Sequence, residues 1–262
     1  MNRALRTAAT GMLAQQLNVD IIANNLANVN TKGYKKSKAE FQDLMYQTLK
    51  TTGASQNPNI QQPMEVQVGN GVEYVATPKS FTQGGVEPTG NSLDVAIEGE
   101  GFLQVRRPDG TIAYTRDGAL KMSADGSLVT AQGYFLEPSI SFPSEVTSLT
   151  IANDGTIEAT VVGDSASVKV GQLELAKFVN PAGLRAIGNN LYVETTASGQ
   201  PLIGAAGSEG FGELKQGYLE SSNVDIVEEM VSMIVAQRAY EINSKTIKTV
   251  EDMLSMANNL KR

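Results

Sequence analysis

The sequence predicts an α+β protein in which long N- and C-terminal helices form a coiled-coil domain, with an antiparallel β-rich domain inserted between them. Apolar residues recur every seven positions near both ends of the chain, which is typical of helices that pack along one stripe. Between the ends, Asp-Gly pairs separate short alternating runs, as in antiparallel hairpins. The 262 residues are enough for one or two domains.

The N-terminal segment is predicted to be helical from Asn2 to Asn28. Its stripe consists of apolar residues seven positions apart, at Leu5, Met12, Val19 and Leu26. Asn28, Asn30 and Gly33 then supply residue types that end helices. We assign residues 1–30 to the terminal helical domain.

The C-terminal segment, residues 223–262, is predicted to be a second helix with Ser222 as its cap. Acidic residues follow in the first turns, where the helix dipole favours them. One stripe repeats every seven residues and a second set follows four residues later: Val235, Ile242, Thr249 and Met256, then Ala239, Thr246, Met253 and Leu260. A helix of this length would extend about 50 Å.

Four residues after the first three positions of the N-terminal stripe come Ala9, Gln16 and Ala23. Both stripes thus contain Ala, Thr or Gln where a stand-alone coiled coil would have Leu or Ile. Each helix pair would therefore bury little area and need further neighbours, which indicates assembly. The residues expected at such helical seams are Leu5, Met12, Val19, Leu26, Val235, Ala239, Ile242, Met253, Met256 and Leu260. The same periodicity is also typical of a two-helix layer that covers a sheet in a monomer, and the pattern leaves both interpretations open.

Residues 31–70 are predicted to connect the helices to the β domain. From residue 48 onward this segment is rich in Gln, Asn, Thr, Ser, Gly and Pro and shows no apolar period. Such a composition indicates a linker or an extended segment that a partner orders.

Residues 71–222 are predicted to form the antiparallel β domain. Hairpin turns are expected at four Asp-Gly pairs, at 109–110, 117–118, 125–126 and 154–155. Strands are expected between them, for example over 111–116, 127–131 and 156–162. In 168–175 the apolar phase shifts by one residue across Gly171, which indicates a β-bulge.

The composition argues against most catalytic chemistry. The chain has no Cys and no His, and it therefore lacks thiolates and the commonest general base. Two acids, Glu98 and Glu100, could share one face of a strand and serve glycoside hydrolysis, but acids at this spacing are common in β proteins and a solvated strand edge is the preferred explanation. We expect no enzymatic activity, no cofactor and no metal.

The charge and hydropathy patterns also restrict the partners. The net charge of −7 argues against non-specific nucleic-acid binding. A small basic cluster has little aromatic interleaving and is a weak nucleic-acid signal: Lys32, Lys35, Lys36 and Lys38. No stretch reaches the roughly 20 apolar residues of a membrane span, and no apolar run of a signal peptide follows Arg3 and Arg6.

Residues 23–36 read ANNLANVNTKGYKK and resemble the N-terminal signature of the bacterial flagellar rod and hook protein family. The segments 92–105, 114–136 and 217–254 agree with this family as well. The signature positions are Asn24, Asn25, Leu26, Ala27, Asn28, Gly33 and Tyr34. The chain length and residues 46–63 look like the distal-rod branch of the family, and the resemblance therefore implies a rod-type insert at 46–66.

The resemblance implies a structural subunit of the distal rod that self-assembles into a hollow helical drive shaft and transmits torque from motor to hook. Its terminal helices would pack around a channel, after export through the flagellar type III apparatus without a cleavable signal. The rod would lie in the basal body and span the periplasm and outer membrane. The implied partners are other copies, proximal rod proteins, the hook protein, and the P- and L-ring proteins. A proximal rod or hook-type subunit is the alternative within the family, and a secreted β-domain hydrolase is a more distant one.

Overall fold

The computed structural model describes residues 2–50, 65–142, 146–161 and 167–260. The chain divides into two compact units. The first comprises Met1–Leu26, Ser37–Pro78 and Ile226–Arg262, and the second comprises Ala27–Lys36 and Lys79–Asp225. A helix at each end and a β-rich antiparallel centre confirm the α+β class.

Helix α1 spans Asn2–Ala27 and helix α2 spans Ile226–Asn259, which confirms both predicted helices. Helix α2 nevertheless begins later than Ser222 predicted. The Ser222 hydroxyl accepts a hydrogen bond from the amide of Val224 at 3.3 Å, and this short turn precedes the helix. The side chain of Asn223 accepts from the amide of Lys36 at 2.8 Å, which holds the backbone here in a loop.

The first unit also contains two antiparallel strand pairs. Strand β1 (Glu40–Asp43) pairs with β4 (Val72–Ala76), and β2 (Gln47–Lys50) pairs with β3 (Val66–Val68). The segment predicted as a connector therefore contains strands, which its polar composition concealed. Residues 51–64, most of the expected insert, lie outside the described residues.

The second unit contains the remaining strands and one short 3₁₀ helix at Pro181–Gly183. Its strands are, in chain order, β5 (Val86–Pro88), β6 (Val95–Glu98), β7 (Phe102–Arg106), β8 (Ile112–Thr115), β9 (Leu120–Met122), β10 (Leu128–Thr130), β11 (Phe135–Glu137), β12 (Val146–Ile151), β13 (Thr156–Val161), β14 (Ser167–Gln172), β15 (Glu174–Lys177), β16 (Arg185–Gly188), β17 (Leu191–Val193), β18 (Leu202–Ala205), β19 (Glu213–Gln216) and β20 (Tyr218–Glu220).

The largest sheet has nine strands, with β7 near its centre. Its main order is β16-β17-β8-β7-β11-β10-β9, and β15 pairs with both β7 and β18. Strands β12, β13 and β14 form a separate sheet, while β19 pairs with β6 and β20 with β5. Every pair among the described strands is antiparallel, as the hairpin pattern predicted.

Strand β7 is buried on both faces because it separates two apolar clusters. Leu103 and Val105 belong to the larger cluster, together with Leu175 of β15. Phe102, on the other face, belongs to a smaller aromatic cluster. Rings there meet edge to face, with centroids 4.8–6.1 Å apart: Phe81, Phe102, Tyr114, Phe178 and Tyr192. Such contacts add to simple area burial.

Three of the four predicted Asp-Gly hairpin turns are confirmed. Gly110, Gly126 and Gly155 have positive φ angles and connect strands that pair with each other. The prediction at 117–118 is wrong, because the strands on either side, β8 and β9, are not neighbours in the sheet. Gly118 instead allows close packing, since a Cβ there would lie 1.6 Å from the carbonyl oxygen of Val95.

The predicted irregularity at Gly171 is present. In the β13–β14 pair, Ile157 lies opposite Gly171 and Glu158 lies opposite Lys169. Val170 is thus the extra residue of a bulge. The chain then leaves this sheet, and β15 joins the nine-stranded sheet, which explains the change in apolar phase after the bulge.

The boundaries of the two compact units differ from the predicted domain boundaries. Residues 27–36 belong to the β-rich unit, although part of them was assigned to the terminal helix and part to the connector. Residues 71–78 belong to the helical unit. The physical reason for the second difference is that β4 pairs with β1.

Candidate assembly surface

Helix α2 packs within the first unit along a face that the sequence analysis did not identify. This face repeats every seven residues: Glu229, Ala236 and Val250 are buried, and Asn243 is half-buried. Two contacts with α1 set the relative direction of the helices. Asn25 donates to Glu229 at 3.3 Å, and Asn243 lies 2.9 Å from where a Gly11 Cβ would stand. The two helices are therefore antiparallel.

The predicted stripe of α2 lies about a third of a turn away from that internal face, at 100° per residue. Most of its members are exposed in the single chain. Val235 is 62% exposed, Ile242 65% and Leu260 88%, and Met253 and Met256 are also exposed. Ala239, in contrast, is half-buried. An exposed apolar stripe of this extent is typical of an interaction surface.

The predicted stripe of α1 lies at the margin of its buried face. Leu5, Met12, Val19 and Leu26 are all half-buried, whereas the most buried residues of α1 are Ala8, Ala14, Ile22 and Asn25. The predicted stripe and the buried face thus differ in helical phase. Three of the four innermost residues, Ala8, Ala14 and Asn25, are small or polar and give little apolar signal in the sequence. Val19 also lines a groove between α1 and α2, together with Gln16, Gln237, Tyr240 and Glu241.

The family-signature residue Asn25 has a defined structural task. Its side-chain amide donates to the carbonyl of Ser37 at 2.9 Å and accepts from the amide of Ser37 at 3.0 Å. This two-point pairing resembles that between neighbouring strands, and it holds the chain beside the buried end of α1. The other signature residues of the helix, Asn24 and Leu26, are less buried.

The remaining signature residues lie in the second unit and form a turn. Thr31 donates from its amide to the carbonyl of Asn28 at 3.1 Å, and the exposed Ala27 precedes this turn. Gly33 has a φ of +69°, and its amide donates to the carbonyl of Glu220 at 2.8 Å. Tyr34 is buried, and the ammonium of Lys79 lies 4.8 Å from the centre of its ring.

The basic cluster does not form a common charged surface. Lys35 is completely buried and pairs with Glu220 at 2.6 Å. Lys32 is half-buried and pairs with a different acid, Glu87, at 2.5 Å. No local sequence pattern indicates either pair, since the partners are distant along the chain. This distribution removes what support the cluster offered for nucleic-acid binding.

The two acids considered for hydrolysis do not share a strand face. Glu98 is the last residue of β6, and Glu100 lies in the turn before β7, after Gly99 with a φ of +109°. Both line a surface depression, where the carboxylate of Glu100 pairs with Lys177 at 2.6 Å. The strand-pair expectation is therefore wrong.

Neither an acidic metal site nor a membrane-crossing helix is found within the described ranges 2–50, 65–142, 146–161 and 167–260. Within these ranges, no group of three or more acidic residues is arranged to hold a metal ion. No described helix is both long enough and apolar enough to cross a membrane. The exposed apolar stripe of α2 is typical of structural subunits that assemble.

Comparison with known proteins specifies the class. The family model described as "Flagella basal body rod protein" matches residues 5–35, "Flagellar hook protein FlgE/F/G D1 domain" matches 96–159, and "Flagellar basal body rod FlgEFG protein C-terminal" matches 215–260. The first and third matches cover most of the two terminal helices, and the second covers much of the nine-stranded sheet.

Full-length relatives agree with these matches. A flagellar basal-body rod protein FlgG of Borreliella burgdorferi is 54% identical over 100% of both chains. The FlgG protein of Caulobacter vibrioides is 46% identical over 99% of both, and that of Bacillus subtilis is 38% identical over 100% of both. The chain therefore belongs to the flagellar basal-body rod protein family.

Proposed function

We propose that this protein, a structural subunit of the flagellar distal rod, polymerises through its terminal helices into a hollow helical drive shaft that transmits torque from motor to hook. The observation that carries the proposal is the exposed apolar stripe of α2, which includes Val235 and Ile242. Water would be removed from this stripe by helices of neighbouring copies, and burial of apolar surface is the main driving force of association.

The two terminal helices present different surfaces, and this difference determines how copies of the chain can contact each other. The stripe of α2 differs from the half-buried stripe of α1, and contacts between unlike surfaces of identical subunits are head-to-tail. Head-to-tail contacts that do not close into a ring generate an open helical filament. In this filament, terminal helices from many copies would pack as coiled coils around a central channel. The small residues Ala236 and Ala239 would permit close approach of the helix backbones.

Several finer features belong to the same proposal. The subunit would be exported through the flagellar type III apparatus, and the assembled rod would span the periplasm and the outer membrane. Its neighbours would be proximal rod proteins, the hook protein, and the P- and L-ring proteins. The full-length relatives named basal-body rod proteins support a rod role. A proximal rod or hook-type role is the alternative, because a Bacillus subtilis hook-basal body complex protein is 32% identical over both full chains.

The substitution Ile242→Asp tests the proposal. In the single chain this side chain is 65% exposed, and a carboxylate there stays hydrated. The monomer should therefore melt as the unmodified protein does. In a filament the carboxylate would be buried without a cation in every subunit, which costs several kcal/mol per copy. We expect polymer to disappear from the pellet after ultracentrifugation and cells with this variant to lose motility.

The matched control is Ser244→Asp, which places the same charge two residues away on an exposed position outside the stripe. This variant should still polymerise. Polymerisation of the Ile242→Asp protein at the same concentration as the unmodified protein would contradict a role for the stripe. Unfolding of its monomer would instead show that the stripe covers a core within the single chain.

A further inference from the structure

Glu220 is the centre of a buried ionic cluster in the β-rich unit. Its side chain is fully buried, although it lies at the end of β20. One carboxylate oxygen accepts from the ammonium of Lys35 at 2.6 Å and from the amide of Gly84 at 2.9 Å. The other accepts from Nε of Arg116 at 2.9 Å. A carboxylate removed from water requires such partners, because burying it alone is very costly.

The two cations of the cluster are held by further contacts. The ammonium of Lys35 also donates to the carbonyl of Thr82 at 2.7 Å, and the guanidinium of Arg116 donates to the carbonyl of Gly99 at 2.7 Å. Burial, and then the charge of Arg116, lower the pKa of Lys35, while Glu220 raises it. Two cations thus share one carboxylate. Loss of Glu220 would leave both cations without it, and loss of either cation would remove a hydrogen bond to a buried carboxylate oxygen.

The cluster connects parts of the unit that are distant along the chain. Lys35 belongs to the segment Ala27–Lys36. In the sequence this segment is separated from the rest of the unit, Lys79–Asp225, so only non-covalent contacts hold the two parts together within the unit. The backbone reinforces the connection, since the amide of Gly33 donates to the carbonyl of Glu220 at 2.8 Å. Without residues 27–36, Glu220 would lose both contacts.

We propose that the cluster of Lys35, Arg116 and Glu220 is a folding interlock, which makes residues 27–36 a required part of the β-rich unit that opens and closes together with strand β20. The segment is then not a linker between two independently stable units. The inference concerns the single chain and does not depend on the polymerisation proposed above.

Native-state hydrogen exchange of the unmodified full chain in sub-denaturing urea tests the interlock directly. Three amides report on it: Gly33, which donates to the Glu220 carbonyl; Gly84, which donates to its carboxylate; and Ser221, which donates to the carbonyl of Gly85 at 2.7 Å. Amides that open in one cooperative step share one opening free energy and one urea dependence. We expect all three to do so. A separate, lower-energy opening at Gly33 alone would overturn the proposal.

The variant Lys35→Met adds a perturbation, and Lys38→Met is its matched control, because Lys38 is an exposed lysine three residues along the chain. Loss of a hydrogen bond to a charged group raises the equilibrium constant for opening by a factor on the order of ten to a hundred. We expect exchange at Gly33, Gly84 and Ser221 to accelerate together by that factor in the first variant and to stay unchanged in the control.

Acceleration confined to Gly33 in the Lys35→Met protein would show that Lys35 anchors only its own segment, and this result would overturn the interlock. If the variant fails to fold, the urea dependence of the three amides in the unmodified chain decides the question by itself.

Discussion

At the scale of single residues, the signature position of Gly33 favours glycine for two reasons, its backbone conformation and its close surroundings. Its φ is +69°, and an added Cβ would lie 2.7 Å from the amide nitrogen of Asp117 and 2.8 Å from the carbonyl carbon of Arg116. The backbone conformation alone costs a non-glycine residue about 1–2 kcal/mol. The overlap with backbone atoms, which cannot rotate away, adds to this cost.

We therefore expect Gly33→Ala to destabilise the β-rich unit by clearly more than about 2 kcal/mol, measured by urea unfolding followed by circular dichroism. Gly110→Ala is the control. Gly110 has a similar φ of +80° but no atom within 4 Å of an added Cβ. This substitution should therefore lower the free energy of unfolding only by the cost of placing alanine at a positive φ. Equal losses in the two variants would mean that Gly33 is required for its φ angle alone.

A second residue-scale prediction concerns alkaline pH. Burial, with a smaller contribution from Glu194, raises the pKa of Tyr114 to about 12. The unfolded phenol titrates near pH 10. Between these values the unfolded chain loses its proton first, and the stability that the neutral phenol contributes is lost as pH rises from about 10 to about 12.

Chemical denaturation at pH 9, 10 and 11 measures this loss. The stability of Tyr114→Phe, which has no phenol to ionise at this position, should fall less steeply over the same range. Other groups that titrate in this range are common to both proteins and cancel in the comparison. Parallel pH profiles for the two proteins would contradict the assignment.

The resemblance to the rod and hook family identified the signature segment at 23–36, but the contacts that its residues make could not be predicted from the sequence. Asn25 binds the backbone of Ser37 and contacts Glu229, and Lys35 pairs with Glu220. The acidic partners lie about two hundred residues away, and a local pattern carries no information on such pairings. Lys35 therefore looked like one member of a surface basic cluster.

At the scale of elements, α2 carries two seven-residue repeats on different faces. The repeat that contains Val235 and Ile242 was found because its members are apolar. The internal repeat was missed because two of its positions are the polar residues Glu229 and Asn243. An apolar periodicity thus identified the exposed face of this helix, whereas the face that packs against α1 uses hydrogen bonds and small residues.

The paired strands β2 and β3 lead to a prediction on the insert between them. Residues 51–64 lie in the sequence between Lys50 of β2 and Val66 of β3, and these two residues are register neighbours. Replacing 51–64 with a short Asn-Gly turn should preserve this pairing, because that dipeptide favours tight hairpins. We expect unchanged melting of the β-rich unit and filaments of altered curvature or stiffness, because the resemblance assigns this insert to the rod.

Electron microscopy of filaments and thermal melting of the soluble protein measure these two outcomes. A control in which the insert is replaced by a Gly-Ser segment of equal length separates loss of sequence from loss of length. Straight filaments of unchanged stiffness from the short-turn protein would contradict a role for the insert in rod mechanics.

At the scale of the whole molecule, the fold class was predictable because two patterns agreed. Seven-residue repeats at both ends and Asp-Gly turns in the middle each select one type of secondary structure, and both are local. The division into units was less predictable, since it depends on pairings such as that of β1 with β4. The expectation of little catalytic chemistry rested mainly on the absence of Cys and His.

Electron microscopy of the purified, unmodified chain over a concentration series tests whether the protein polymerises through its terminal helices. We expect straight, hollow tubes above a critical concentration, with α-helical density around the channel and the β-rich unit outside it. A chain that remains monomeric at every concentration, or tubes whose channel is lined by the β-rich unit, would contradict the account.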